Sequence, residues 1–281
     1  MTTLSHGSDV LQREIRGAIG HVLTLVKSRE PLTDDSVHEI RKHLKRARAA
    51  LRLIRDAVAE QDYARENGLL RDAARPLSPV RDAAVLLEVV KDIERTKAGK
   101  RQPRPLAQMR DTLLDQRRRL LRYVQTERTR RSVCKPLEEA HDRISRWRLP
   151  FDTHRIMALG LKRIYRKARK SAKIARAERS DQTLHEARKQ ARYLATATQI
   201  LVPDKRARIA NIARAADKVA KRLGDDHDLA VFLAKLPRQP NSKDLAAKVA
   251  QMRRKLRERA LKRTQKLYKA KTKAFVARLT T

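Results

Sequence analysis

The chain is poor in glycine and in aromatic residues, and both shortages limit the folds it can adopt. Among its 281 residues there are 7 glycines, and Phe, Trp and Tyr together make up only 3%. Sheet proteins rely on aromatic and β-branched strands joined by glycine-rich turns. Here Ala, Leu, Arg and Lys recur at helical spacing almost throughout. The sequence therefore predicts an all-α fold.

Cysteine and long apolar runs are also nearly absent. The one cysteine, Cys134, cannot build a disulfide framework or a multi-cysteine metal site, and it fits a reducing compartment. No uninterrupted apolar run is long enough to span a membrane, and the first residues lack a basic region followed by an apolar core. We expect a soluble, cytoplasmic protein that does not insert into membranes.

Acidic residues are scarce relative to basic ones. There are 32 Asp and Glu against 69 Lys and Arg, which gives a formal net charge of +37. Cations crowded onto one compact body repel each other unless an anion neutralises them. The composition therefore predicts a polyanionic partner, which could be nucleic acid, an acidic membrane surface or a non-nucleic polyphosphate.

Hydrophobic residues make up 41% of the chain, which is enough for two cores in a chain of this length. Apolar periodicity and breaker residues predict the helices. A capping box of Ser36 and Glu39 is expected to start the second helix. The predicted helices lie at about 8–28, 37–59, 62–95 with an interruption near Pro76 and Pro79, 104–127, 133–147, 153–177, 182–201, 205–235 and 241–278.

Two pairs of segments repeat at nearly the same spacing. Val37–Lys42 is echoed by Leu184–Lys189, and Val80–Leu87 by His227–Leu233. Because both pairs recur together, we infer a duplicated unit. The two copies would place similar basic helices about one pseudo-symmetry axis, where a single long anion could touch both.

Helical spacing separates apolar and basic residues within each copy. An apolar stripe that runs from Val37 to Val58 predicts the buried face of the second helix, with cations on an arc about 120° away. A stripe from Leu184 to Leu201 does the same in the second copy. The basic faces are His38, Arg41, Lys45, Arg48 and Arg52; then His185, Arg188 and Arg192; and, on the preceding helix, Lys162, Arg166, Arg169, Lys173 and Arg176. A single basic stripe is often only a solvated face; three at related positions favour a binding surface.

These motifs, in this order, resemble the CHAD family, the conserved histidine α-helical domain. The resemblance rests on His38-Glu39-x-Arg41-Lys42-x-x-Lys45-Arg46-x-Arg48, Leu77–Leu87, Tyr165–Arg169, His185-Glu186-x-Arg188-Lys189 and Leu223–Ala230. It implies a single CHAD domain over 1–281, with an internal repeat of two four-helix bundles, 8–149 and 150–281. The bundles would be related by pseudo-two-fold symmetry around a central basic channel that binds inorganic polyphosphate.

The resemblance also implies which residues line the channel. One wall would hold His38, Arg41, Lys42, Lys45, Arg48 and Arg52; the other His185, Arg188, Lys189 and Arg192; and Tyr165, Arg166 and Arg169 would lie beside them, with Lys162 and Lys173 on the same helix. Many family members carry a basic residue and a tyrosine where this chain has Ala195 and Thr196, and Gln199 replaces the counterpart of Arg52. The second wall is therefore expected to be shorter and weaker.

The residue types favour a non-enzymatic role in binding polyphosphate, with association to polyphosphate granules. A polyphosphate chain needs many Lys and Arg donors in a line. The alternatives are a nucleic-acid-associated architectural protein that makes weak, non-specific phosphate contacts, and a hydrolytic or regulatory protein of polyphosphate metabolism. No phosphate-cradling Gly-rich loop occurs. Asp225, Asp226 and Asp228 could hold a metal or pair with channel cations; we expect the pairing, and no metal or cofactor.

Overall fold

A computed structural model describes residues 6–149, 153–201, 207–237 and 242–275. The regular elements in these ranges are helices, and no strand occurs in them, so the predicted all-α fold is confirmed. The α-helices are α1 His6–Lys27, α2 Asp34–Leu53, α3 Glu60–Asp72, α4 Ser78–Glu94, α5 Lys97–Lys100, α6 Pro103–Gln125, α7 Glu127–Ser145, α8 Thr153–Glu178, α9 Asp181–Ile200, α10 Ala207–Lys235 and α11 Lys243–Leu267, and a 3₁₀ turn spans Arg55–Ala57.

The second helix begins three residues earlier than predicted, because a different pair of side chains caps it. The Thr33 hydroxyl accepts from the Ser36 amide at 3.2 Å, and the Ser36 hydroxyl accepts from the Thr33 amide at 2.7 Å. Ser36 therefore closes the capping box as its third helical residue instead of opening it, and the expected role of Glu39 in the cap is wrong. The helix also ends sooner, at Leu53, before the 3₁₀ turn.

Other boundaries differ from the predictions for local reasons. The predicted interruption of 62–95 is confirmed, since α3 and α4 are separate helices; Pro79 lies in the first turn of α4, where a missing amide hydrogen costs nothing. The α7 helix starts earlier than predicted, at Glu127, because the Thr126 side chain accepts from the Thr129 amide. Helix α11 ends at Leu267, a further helical turn covers 272–275, and residues 276–281 lie outside the described part.

The predicted apolar stripes lie in the core. The stripe of α2 is buried from Val37 to Leu51 and continues to the buried C-cap residue Ile54, and the stripe of α9 is buried from Leu184 to Thr198. The buried side chains form three clusters, and these do not follow the predicted boundary at residue 149. The largest joins α1, α2, α3 and α7 to α8 and α9, and a second joins α4 and α6 to α10 and α11. The division into bundles 8–149 and 150–281 stays a prediction.

Four helices form a closed ring that positions the candidate site. Helix α2 packs on α4 and α9, and α10 packs on the same two helices. Since each of the four touches two others, side chains that point into the ring come from both copies of the repeat. None of the helices among the described residues is long and apolar enough to cross a membrane.

Candidate functional site

The ring of α2, α4, α9 and α10 encloses a groove of about 700 Å³, which we call the four-helix groove. Most of its lining side chains are charged or polar. The basic residues in the lining are His38, Arg41, Lys42, Lys45, Arg46, Arg81, Arg188, Arg192, Lys221 and His227. The groove thus gathers cations from helices that are far apart in sequence.

Six of the predicted site residues meet in this groove. His38, Arg41, Lys42 and Lys45 come from α2, and Arg188 and Arg192 come from α9. Parts of the basic faces of α2 and α9 therefore line one shared space.

Arg48 and Arg52 belong to the same face of α2 but are not part of the groove lining. Both donate hydrogen bonds to the amide oxygen of Asn67, at 3.2 Å and 3.0 Å. The Arg52 guanidinium also lies 4.0 Å above the ring of Tyr193, in cation–π geometry. Asn67 and Tyr193 hold these two cations farther along α2, beyond the groove.

His185 and Lys189 lie next to the groove lining. The His185 ring is 5.1 Å from the ring of His227, which does line the groove. Lys189 forms an ion pair with Glu186. Both residues therefore occupy the edge of the second basic face.

The α8 residues occupy other positions. Tyr165 is fully buried, stacks on Phe275 at 3.7 Å, and donates its hydroxyl to the Ala270 carbonyl at 3.0 Å. Tyr165 therefore lies in the core and is not part of the four-helix groove lining. Arg169 donates to the Tyr268 carbonyl at 3.1 Å. Lys162, Arg166 and Lys173 are exposed on α8 and are absent from the groove lining.

The repeated arginines, Arg41 and Arg188, make corresponding contacts. Arg41 donates to the Ala74 carbonyl at 3.2 Å and to the Ser78 hydroxyl at the start of α4. Arg188 packs against Gly224, where an added Cβ would lie 3.2 Å from its Nε. Ser78 precedes Asp82 by four residues, just as Gly224 precedes Asp228. The sequence repeat therefore extends to the contacts of these two arginines.

Burial, reinforced by neighbouring cations, lowers the pKa of several basic residues. Removal from water between the groove walls, reinforced by Arg41, Arg192, Arg188 and Arg81, lowers the pKa of Lys45 to about 8. Burial and Arg81 lower the pKa of His38, and burial and His227 lower that of His185. Both imidazoles therefore gain a proton only at a more acidic pH than an unperturbed histidine does.

Carboxylates balance part of this charge. Arg192 pairs with Asp217 at 3.1 Å, and Arg188 lies 3.9 Å from Asp228. Burial raises the pKa of both Asp225 and Asp228.

The neighbouring acidic residues of α10 divide between two environments. Asp225 and Asp228 line the groove, whereas Asp226 is buried and pairs with Arg253 at 3.3 Å and Arg257 at 3.4 Å. This division agrees with the expectation that adjacent helix residues point in different directions.

Sequence reasoning missed much of the groove lining on α4 and α10. Arg81 and Asp82 were identified as part of a repeated motif but not as site residues, and Lys221 and Asp217 carried no signal. The echo of Val80–Leu87 in His227–Leu233 could have placed Arg81 and His227 opposite the histidine helices. Lys221 and Asp217 become recognisable only once α10 is packed on α4 and α9.

Comparisons with known proteins agree with this architecture. The family model of the CHAD domain matches residues 14–237. The CHAD domain from the plant Ricinus communis superposes with a TM-score of 0.56 at 16% identity, over 100% of this chain and 94% of that one. PptA from Streptomyces chartreusis gives a TM-score of 0.62 at 16% identity, over 94% of this chain and 99% of its own. No curated protein matches the chain in sequence.

Proposed function

Since the chain belongs to the CHAD domain family, we propose that it binds inorganic polyphosphate in the four-helix groove, without chemical conversion of the ligand. The observation that carries this proposal is the convergence of Arg41 and Lys45 of α2 with Arg188 and Arg192 of α9 on one groove of about 700 Å³. A linear polyphosphate carries charge at every unit, so one chain can contact donors from both copies of the repeat.

Unsatisfied charge in the groove supports an anionic ligand. The lowered pKa of Lys45 reflects burial among four arginines, and a phosphate oxygen among them would offset that repulsion. The Nε atom of Arg41 is buried and has no hydrogen-bond partner among the described residues. A buried donor of this kind is costly, and a phosphate oxygen would accept from it.

The carboxylates of the groove compete with the ligand for its arginines. An anion has to replace Asp217 beside Arg192 and Asp228 beside Arg188, and such exposed or half-exposed pairs are weak. A polyphosphate chain brings several charges at once and so competes well, whereas a single phosphate replaces one partner at a time. We therefore expect affinity to rise steeply with chain length.

Weak binding of nucleic acid is the second candidate, and the exposed cations of α8 favour it. Lys162, Arg166 and Lys173 lie outside the groove and are open to solvent. They suit the phosphates of a duplex, which run along both edges of grooves about 6 and 12 Å wide. Such contacts need no base reading and give non-specific binding.

A competition experiment separates the two. The full chain is loaded with fluorescent duplex DNA and titrated with long-chain polyphosphate, and the reverse titration uses labelled polyphosphate and unlabelled DNA. We expect polyphosphate to displace DNA at near-stoichiometric amounts, while DNA displaces polyphosphate poorly. Equal displacement in both directions would contradict a dedicated polyphosphate groove. Incubation of the same samples, with released orthophosphate as the readout, tests the absence of hydrolysis.

A further inference from the structure

Three potential metal ligands meet where α1 packs on α2, outside the four-helix groove. Glu39 and His43 are one turn apart on α2, and His21 projects from α1. One ligand atom from each side chain lies within 4.8 Å of the other two. The His21 and His43 rings are 4.0 Å apart, and His43 Nε2 is 3.7 Å from Glu39 Oε2. None of the three lines the groove.

We propose that His21, Glu39 and His43 bind a divalent transition metal of the Zn²⁺ class. Two imidazoles and a carboxylate are ligand types that Zn²⁺ uses in sites with three protein ligands, where water completes the tetrahedron. Zn–N and Zn–O bonds of about 2.0–2.2 Å put ligand atoms about 3.4 Å apart. Rotation of the exposed His21 and of the partly exposed Glu39 and His43 closes the remaining gap.

The state of His43 favours metal binding. Its Nδ1 atom is buried and has no hydrogen-bond partner among the described residues. The distance of 3.7 Å from Nε2 to Glu39 is too long for a good hydrogen bond. Burial and the adjacent His21 lower the pKa of His43. A neutral imidazole is the form that ligates metals, and the lowered pKa points in the same direction as the geometry.

One competing contact has to be displaced. The ammonium group of Lys42 lies 3.1 and 3.0 Å from the two carboxylate oxygens of Glu39. Lys42 is well exposed, and surface ion pairs of this kind contribute little to stability. Binding of a metal by three ligands stabilises more than the Lys42–Glu39 ion pair does, and the Lys42 side chain can move into solvent.

The first test is calorimetric titration of the full chain, free of any polyhistidine tag, with ZnCl₂ at pH 7.5 and without phosphate. We expect one Zn²⁺ site per chain, with affinity at least tenfold lower in His43→Asn, His21→Asn and Glu39→Gln. The matched control is His141→Asn, which removes a histidine 3.6 Å from a single carboxylate, Asp142. This control should bind Zn²⁺ as the unmodified chain does.

Co²⁺ provides a second readout on the unmodified chain and on Glu39→Gln. A tetrahedral site gives a visible absorption band that Zn²⁺ abolishes in competition, and Glu39→Gln should weaken Co²⁺ binding without unfolding the helix. Thermal unfolding of each variant checks that it folds. If a histidine variant does not fold, the Co²⁺ titrations of the unmodified chain and of Glu39→Gln test the proposal instead. Absence of the visible band, or equal Zn²⁺ affinity in all four variants and the unmodified chain, would overturn the proposal.

Discussion

At the scale of single residues, Lys45 carries a charge that opposes folding. Its pKa in the folded chain, about 8, is below the ordinary value of 10.5, so the unfolded chain binds more protons between these two pH values. The penalty is fully present below pH 8 and is relieved as the pH rises towards 10.5. The unliganded protein is thus less stable for keeping a lysine where a polyanion would contact it.

The substitution Lys45→Met separates stability from binding. Met removes the charge but keeps an unbranched side chain of similar length, so at pH 7 the thermal unfolding midpoint should rise by about 1–2 °C. Polyphosphate affinity should fall about tenfold, which corresponds to the loss of one charge-assisted hydrogen bond. Calorimetry and fluorescence titration measure the two quantities. A lower midpoint together with unchanged affinity would contradict the assigned role.

Gly224 provides a second test, because its missing side chain gives space to an arginine. A Cβ there would lie 3.2–3.4 Å from three atoms of the Arg188 guanidinium. We expect Gly224→Ala to displace Arg188 and to weaken polyphosphate binding several-fold. The variant should be as stable as the parent or more stable, because alanine favours a helix by about 1 kcal/mol over glycine. Titration and urea unfolding test these effects; unchanged affinity would count against Arg188 as a contact.

At the scale of elements, Gly160 determines how closely α8 packs on α2. A Cβ at this position would lie 2.1 Å from the backbone oxygen of Leu53, so the two helices would have to separate. We expect Gly160→Ala to destabilise the protein by about 2 kcal/mol or more, as overpacked cores do. Urea unfolding measures the loss.

Gly68 in α3 is the matched control for this change. A Cβ there meets nothing within 4 Å, so Gly68→Ala should stabilise by up to about 1 kcal/mol through helix propensity alone. Equal effects of the two substitutions would show that close packing of α8 on α2 does not matter.

What the sequence could predict depends on the range of the interactions involved. The buried and basic faces of α2 follow from a period of 3.6 residues, so Val37 and Lys45 lie where the pattern places them. The cap of α2 was misplaced by three residues because Thr33 and Ser36 are both good capping residues, and only the backbone geometry distinguishes them. Short-range sequence patterns therefore predict the faces of a helix better than they predict where the helix begins and ends.

The positions of Tyr165 and Lys221 relative to the groove could not be predicted from the sequence. A motif position indicates that a residue recurs in a family, but whether its side chain faces a ligand or the core depends on packing. Tyr165 is enclosed by Phe275 and Tyr268, more than 100 residues away. Lys221 enters the groove only because α10 packs on α4 and α9.

At the scale of the whole molecule, the net charge of +37 makes binding depend on salt. Neutralising phosphates releases condensed counterions, so log affinity should fall linearly with log salt. We expect the double variant Lys45→Ala/Arg192→Ala to have a slope shallower by about 1–2 units, since each lost phosphate contact removes roughly 0.7. Titrations from 50 to 400 mM NaCl measure the slopes, and a nearly flat plot for the unmodified chain would be inconsistent with a polyanion in the groove.

A control for that double variant has to replace two arginines that lie outside the groove and hold no other part of the fold. Arg130 is unsuitable because it donates to the carbonyls of Val26 and Glu30, at 3.0 and 2.9 Å, and so holds the end of α1. Arg119 and Arg122 are exposed on α6 and absent from the groove lining. Their replacement changes the net charge by the same amount.

The most direct test of the central claim is therefore the polyphosphate affinity of Lys45→Ala/Arg192→Ala compared with Arg119→Ala/Arg122→Ala, measured at one ionic strength. If cations from the two repeats converge on the ligand, the first pair should lose about 100-fold in affinity, and the second should lose no more than a few-fold. Equal losses in the two double variants would mean that only the total charge matters, and would contradict a binding site in the four-helix groove.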